Sequence, residues 1–166
     1  FPHFAVSIAL EHKGETLLGV VYDPMRNELF VAERGAGATL NRRTIHVSKT
    51  AELSKSILST GFPYDIRTAE LNNLDHWKNF AMTAQALRRV GAASLDLCYV
   101  ACGRFDGFWE LNLSPWDTAA GALIVEEAGG RVTNFSGGPF SNYQPQVLAS
   151  NGLIHDRMID VLAMTK

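Results

Sequence analysis

The stretch SPWDTAAGALIVEEAGG, Ser114 to Gly130, indicates the fold most clearly because it predicts one long helix with well-marked ends. Ser114 is a favourable N-cap, and Pro115 suits the first helical position, where its missing N–H group has no intrahelical partner to lose. Asp117 completes a capping box three residues after the cap. Gly129 and Gly130 predict the end of the helix, since glycine adopts the left-handed conformation at little cost.

Asp117 is the chemically informative residue of this helix. On a helical period it shares a stripe with Gly121, Ile124 and Ala128, so its carboxylate is predicted to face the interior. The spacing alone leaves two interpretations open. Asp117 is either a capping residue that complements the helix dipole, or a metal ligand or general base in a cleft walled by small residues.

The longer pattern around Asp117 resembles a known family. Trp116 to Gly121, WDTAAG, followed by Glu127 to Gly130, EAGG, resembles the C-terminal signature of the inositol monophosphatase family of Mg²⁺-dependent, lithium-sensitive phosphatases. The segments Val90 to Glu110 and Val20 to Asn41 are similar to its substrate-side segment and its central β-meander, in the bacterial style. The resemblance implies an α+β fold, a layered α-β-α-β-α sandwich with mixed and antiparallel sheets.

The resemblance also exposes an expected absence. In this family FPHFAVSIAL, Phe1 to Leu10, follows almost directly after an Asp-Pro-x-Asp-Gly-Thr motif, and neither that motif nor the glutamate upstream of it occurs here. Those residues supply the other carboxylate ligands of the family's metal site. We therefore expect a fold truncated at its N-terminus and a chain that is not catalytically competent alone.

The family's site residues carry over position by position. Asp117 matches the aspartate that ligates Mg²⁺ and serves catalysis beside the substrate. The resemblance implies substrate contacts at Arg88, Gly91, Ala92, Ala93, Glu110 and Asp117. Ala92 stands where relatives often carry Ser or Thr, which removes one hydroxyl contact. Taken alone, Glu110 reads as a solvated acid at a strand end, whereas the surrounding motif favours a role in binding polyol hydroxyls.

Composition excludes several classes of function. The 166 residues are 46% hydrophobic, enough to bury a core, and no apolar run approaches the length of a membrane span. A formal charge of −2 indicates no general attraction for nucleic acid. Cys98 and Cys102 lack the paired spacing of a zinc site, which favours small packing residues in a reducing, cytoplasmic compartment.

The chain divides into two predicted parts, residues 1–50 and 51–166, which together form one domain. The first is an antiparallel meander with strands at residues 4–10, 17–23, 28–35 and 43–48; both sheet faces are predicted to be covered, and Gly35 to Gly37 reads as a turn. The second alternates strands at 56–60, 87–90, 107–110, 131–134 and 146–149 with helices at 69–86, 93–102, after Ser114 and from about Ile154.

Two functional hypotheses follow. The first is Mg²⁺-dependent hydrolysis of a myo-inositol monophosphate, such as inositol 1-phosphate, by a metal-activated water; fructose-1,6-bisphosphate or a nucleotide 3'-phosphate are the alternative substrates. The second is a non-enzymatic role, because the resemblance also implies dimeric bacterial proteins that assist transcription and RNA processing. The resemblance implies a homodimer in either case, and the charge predicts contact with proteins instead of nucleic acid.

Overall fold

A computed structural model describes residues 1–69 and 72–164 of the chain. Its first sheet is an antiparallel meander whose strands follow one another in chain order. The strands are β1 (Val6–His12), β2 (Glu15–Asp23), β3 (Glu28–Glu33), β4 (Gly37–Leu40) and β5 (Arg43–Thr44). The turns between β1, β2 and β3 lie where the sequence predicts them, with Lys13, Gly14 and Asn27 at positive φ.

The second sheet is mixed and has the order β7-β6-β8-β10-β9. Its strands are β6 (Ile57–Thr60), β7 (Ala86–Arg88), β8 (Gly107–Leu111), β9 (Arg131–Thr133) and β10 (Gln146–Ser150). Strand β6 pairs in parallel with both β7 and β8, whereas β10 is antiparallel to β8 and β9. The α+β class with antiparallel and mixed sheets is therefore confirmed.

Four α-helices fall within the described residues and form two layers. They are α1 (Leu74–Ala81), α2 (Ala93–Ala101), α3 (Pro115–Glu127) and α4 (His155–Leu162). Helices α2 and α3 lie between the sheets, where Phe30 of the meander, Leu97 of α2 and Phe108 of the second sheet share one core. Helices α1 and α4 cover the other face of the second sheet around Trp109 and Met158.

Helix α3 has the predicted ends but a different environment. Ser114 is its N-cap, Asp117 completes the capping box, and Gly129 follows with a φ of 86°. The sequence predicts one buried stripe, yet every side chain from Thr118 to Val125 is buried. The reason is that α3 is packed between two sheets, so its small and aliphatic residues meet protein on all sides.

The predicted coverage of both meander faces is wrong for this chain. Ser7, Gly19 and Ala32 share the face that packs toward α3, but the alternate residues of β1 point outward. Val6, Ile8 and Leu10 are 54–60% exposed, and Leu18 and Leu29 continue this outer face on β2 and β3. The outer face of the meander, defined by these five residues, is apolar and uncovered among the described residues.

Several predicted boundaries are also corrected. The helix predicted at 69–86 is α1, which spans only Leu74–Ala81; residues 70 and 71 lie outside the described part. The strand predicted at 43–48 ends at Thr44. The predicted turn is present at Gly35 and Ala36, but Gly37 already begins β4, a strand that the sequence analysis does not predict. Pairing with Phe30 to Glu33 makes this short segment a strand, which is a tertiary effect.

Cys98 is fully buried in α2, which confirms its predicted packing role, whereas Cys102 is only half-buried. No helix in the described ranges is both long and apolar enough to cross a membrane. The division into residues 1–50 and 51–166 stays a prediction.

His155 ties β9, β10 and α4 together and predicts an acid-sensitive fold. It is fully buried, its Nε2 lies 2.9 Å from Thr133 Oγ1, and its Nδ1 lies 2.8 Å from Ser150 Oγ. Burial lowers the pKa of His155 to about 4, with the charge of Arg131 acting in the same direction. Between pH 6.5 and about 4 the unfolded chain therefore binds more protons than the folded chain. As the pH falls through that window, we expect protonation linked to His155 to lower the free energy of unfolding by about 3 kcal/mol.

The measurement is urea unfolding from pH 4 to 7.5 of the wild type, His155→Gln and the exposed control His12→Gln. Only His155→Gln is expected to flatten the fall in unfolding free energy toward acid. Equal slopes for all three proteins would show that His155 does not govern acid stability.

Candidate active site

Two carboxylates meet where β8 and α3 approach each other. Glu110 is the fourth residue of β8, 9% exposed, and belongs to the same sheet face as Phe108, toward the central helices. Asp117 is half-buried in the first turn of α3. The negative charge of Asp117 raises the pKa of Glu110, which indicates that the two groups lie close together. The structure thus brings together the two acids that the sequence singles out.

Asp117 performs the capping role and remains at the mouth of the site. Its Oδ2 accepts a hydrogen bond of 2.9 Å from the backbone N–H of Ser114. This contact fixes the carboxylate at the N-terminus of α3, where the helix dipole favours negative charge. The capping and site interpretations of Asp117 are therefore compatible, because one oxygen serves the cap while the charge of the carboxylate still acts on Glu110.

Glu110 is held in an environment that disfavours its charge. Burial is the largest cause and the charge of Asp117 the second, and together they raise the pKa of Glu110 to about 7, against the opposing effect of Arg89. A carboxylate that is partly protonated near neutral pH, beside a second acid, is typical of a site that receives a cation or a hydroxyl-bearing ligand.

The two arginines of the Arg88-Arg89 pair contact different parts of the chain. Arg89 influences Glu110, and its guanidinium lies over the Phe62 ring, with Cζ 5.5 Å from the ring centroid. Arg88 donates to the Leu87 carbonyl oxygen at 2.9 Å and lines a separate depression that also includes Tyr99. Arg89 is therefore the arginine whose charge acts on Glu110, whereas a substrate contact by Arg88 stays a prediction.

The start of α2 contributes backbone groups. Gly91 has a φ of 98°, a conformation that favours glycine, and Ala92 is the extended N-cap residue before Ala93 begins the helix. The first residues of a helix have N–H groups without intrahelical partners. Gly91, Ala92 and Ala93 thus present donors and little side-chain bulk, as predicted, although contact with a substrate remains untested.

A third acid lies beneath Glu110. Asp96 of α2 is 1% exposed, and burial raises its pKa well above the usual range; Glu110 adds to the shift and the Ser59 hydroxyl opposes it. Asp96 Oδ1 and Ser59 Oγ are buried, yet neither forms a well-aligned hydrogen bond within the described residues. Burial therefore disfavours the charged form of Asp96.

Sequence reasoning missed Asp96, Arg89 and Gly61 as parts of this site. A Cβ placed on Gly61 would overlap the Glu110 carboxylate, so a side chain there would require Glu110 to move. One signal was available, because Asp96 is the single charged residue in the apolar run LDLCYVA. Gly61 and Arg89 come near Glu110 only because β6, β7 and β8 pair in one sheet.

The donor set suits part of a magnesium site. Mg²⁺ prefers carboxylate and water oxygens, and Asp117 supplies one such ligand at a helix N-terminus. In residues 1–69 and 72–164, however, no group of three or more His, Cys, Asp or Glu side chains is arranged to hold a metal ion. These residues alone are therefore expected to bind Mg²⁺ weakly.

The raised pKa of Glu110 predicts a pH effect opposite to that of His155. Between pH 4.5 and 7 the folded chain holds the Glu110 proton more tightly than the unfolded chain, so rising pH lowers stability. We expect rising pH to lower the unfolding free energy of the wild type by roughly 2–3 kcal/mol across this window through Glu110. Glu110→Gln is expected to abolish that decrease. The measurement is urea unfolding from pH 4.5 to 8 without divalent cations, with the exposed Glu33→Gln as control. An unchanged slope in Glu110→Gln would contradict a raised pKa at this position.

The chain is similar to known proteins over most of its length. The chain is 47% identical to "Inositol-1-monophosphatase" of Synechocystis over 99% of its own length and 58% of that protein. It is 53% identical to "Nus factor SuhB" of Pseudomonas aeruginosa, covering 82% of the chain and 51% of the relative. The solved inositol monophosphatase of Anabaena superposes with a TM-score of 0.93 at 49% identity, covering 95% of this chain and 63% of that one.

The chain thus spans between half and two thirds of the length of these proteins. The model of the inositol monophosphatase family matches residues 1–164, nearly the whole chain. The sequence, the layered fold and the paired acids at the start of α3 lead to one conclusion: the chain belongs to the inositol monophosphatase family.

Proposed function

We propose that this chain forms the substrate-binding part of a Mg²⁺-dependent phosphatase that acts on a myo-inositol monophosphate. The observation that carries the proposal is the electrostatic repulsion between Glu110 of β8 and Asp117 in the first turn of α3, which raises the pKa of Glu110 and which Arg89 only partly opposes. A cation at Asp117 would relieve that repulsion. The names of the Synechocystis and Anabaena relatives support the substrate.

The proposed roles divide between metal and polyol. Asp117 would hold Mg²⁺, which when bound neutralises the phosphate and activates a water for attack on phosphorus. Glu110, pointing to the same space, accepts hydrogen bonds from polyol hydroxyls. The backbone N–H groups of Ala93 and Ser94 at the start of α2 offer donors to the same ligand. Arg89 and Phe62 wall the site next to Glu110.

The experiment uses a chimera that carries the family's other carboxylates. It joins to Phe1 the upstream region of the Synechocystis relative, in which the resemblance places both the glutamate and the Asp-Pro-x-Asp-Gly-Thr motif. We expect Mg²⁺-dependent phosphate release from inositol 1-phosphate by the chimera and none by the chain alone. Fructose-1,6-bisphosphate and a nucleotide 3'-phosphate serve as competing substrates. A folded chimera that prefers either of them, or that hydrolyses none, would overturn the proposed activity.

A second candidate function is a dimeric protein partner of bacterial transcription machinery. The name "Nus factor SuhB" of a relative with 53% identity supports it. The depression lined by Arg26, Glu28, Arg88 and Arg104 offers Arg88 for protein contact, whereas Arg26 and Arg104 pair with Asp23 and Glu28. Co-purification of RNA polymerase with a catalytically silent chimera, together with a dimeric mass, would favour this role over hydrolysis.

A further inference from the structure

Asn73 is a buried polar residue at the start of α1, on the side of the second sheet opposite to Glu110. Its side chain is 3% exposed, and its backbone has a left-handed conformation with φ 69°. Both amide protons and the amide oxygen of this side chain are engaged. Nδ2 donates to the Gly61 carbonyl oxygen at 2.6 Å and to Thr60 Oγ1 at 2.9 Å, while Oδ1 accepts from Trp109 Nε1 at 2.8 Å.

These bonds continue into a closed ring. Thr60 Oγ1 donates to the Trp109 carbonyl oxygen at 2.6 Å, and that carbonyl belongs to the peptide group that leads into Glu110. Thr60 and Trp109 are also the last partners in the parallel pairing of β6 with β8. One asparagine side chain therefore joins the end of β6 to Trp109 of β8, at the point where the paired register stops.

The two residues that follow this ring are in contact. Gly61 comes after Thr60, and Glu110 comes after Trp109. A Cβ on Gly61 would overlap Oε1, Cδ and Oε2 of Glu110, so the Glu110 carboxylate packs directly on the Gly61 backbone. The location of the Gly61 peptide group thus limits where the Glu110 carboxylate can lie.

We propose that Asn73 is a positioning residue of the polyol site, which acts through Gly61 and the Trp109 peptide to hold Glu110 in place. This inference rests on the proposed function, because it takes Glu110 as the polyol-binding acid. Asn73 itself lies on the far side of the sheet and touches no substrate. The alternative is that Asn73 only stabilises the fold, as buried hydrogen-bonded asparagines do.

A matched control exists within the chain. Asn151 is similarly buried, at 4%, and also forms a complete set of bonds: Nδ2 donates to Ser48 Oγ and Thr50 O, and Oδ1 accepts from the backbone of Leu153 and Ile154. Its bonds lead away from Glu110. Asn73→Ala and Asn151→Ala therefore share a loss of buried hydrogen bonds but differ in connection to the site.

The first test needs no substrate. In isotope-labelled chain we expect Asn73→Ala to move the NMR signals of the Gly61 amide and the Glu110 side-chain carboxyl carbon, while Asn151→Ala leaves both unchanged. Asn73→Asp, which keeps the shape and loses the Nδ2 donors, is expected to move the Gly61 signal too. Unmoved signals in the Asn73 variants that fold would overturn the proposal, whether or not the chimera is active.

The second test uses the active chimera. We expect Asn73→Ala to raise KM for inositol 1-phosphate about tenfold with a smaller change in kcat, an effect that Asn151→Ala does not share. In a Glu110→Gln background the effect of Asn73→Ala is expected to vanish. A KM effect that persists there, or that Asn151→Ala equals, would overturn the positioning role. An inactive chimera with moved NMR signals would refute the proposed function alone.

Discussion

Replacing Asp117 with Asn in the chimera is expected to lower Mg²⁺-dependent hydrolysis of inositol 1-phosphate by roughly 100- to 10,000-fold, the range for losing a charge-stabilising or proton-transferring group. An amide cannot match a carboxylate as a ligand for Mg²⁺. The substitution spares the fold, because the Asn side-chain oxygen can still accept the hydrogen bond that Ser114 N–H donates to Asp117. The loss should therefore be one of chemistry, with little loss of stability.

The measurement is phosphate release across a Mg²⁺ titration, with urea unfolding in parallel. Glu126→Gln is the control, since it makes the same chemical change at the other end of α3, where Glu126 pairs with Arg34 at 2.6 Å. Glu126→Gln should retain activity. Hydrolysis by Asp117→Asn at the rate of the parent chimera would remove Asp117 from the metal site.

A side chain at Gly19 is expected to be the most damaging small change to the fold. Gly19 lies in the middle of β2, where helix α3 crosses the meander closely. A Cβ there would lie 2.7 Å from the Ala120 carbonyl oxygen and 3.0 Å from Ala120 Cα, both rigid backbone atoms. We expect Gly19→Ala to cost roughly 1–3 kcal/mol of unfolding free energy, and Gly19→Val more, because the helix must move outward.

Ala9→Val is the matched control for Gly19. Ala9 is the partner of Gly19 on β1, but its side chain is exposed at the sheet edge. Its substitution is expected to change the free energy of unfolding by no more than about 0.5 kcal/mol. Urea unfolding of both variants measures the difference. A Gly19→Ala protein as stable as the wild type would show that α3 does not pack this closely on β2.

Elements with strong local signals could be predicted from the sequence. The ends of α3 follow from Ser114, Pro115 and Gly129, and α2 begins at Ala93 as expected. Elements that depend on partners could not. Strand β4 exists because Gly37 to Leu40 pair with β3, and α1 is short because Ala86 is drawn into β7 beside β6. Pairing between strands distant in sequence leaves little local signature.

The site shows the same limit. Glu110 and Asp117 were recognisable because the family motif names them, and their approach to each other agrees with it. Asp96, Gly61 and Asn73 were missed, since each acquires its place only through contacts between β6, β8 and the helices. A buried acid, a glycine with no room for a side chain and a saturated asparagine amide are visible only in three dimensions.

The outer face of the meander is expected to govern how the isolated chain associates in solution. Side chains such as Ile8, 60% exposed, and Leu10, 56% exposed, give the isolated molecule an exposed apolar plane on a chain in which only 19% of the residues are charged. The tendency of the molecules to self-associate should depend more on this apolar plane than on the net charge of −2. Salts that strengthen apolar association, such as sulfate, will promote clustering, while low concentration and mild detergent will keep molecules apart.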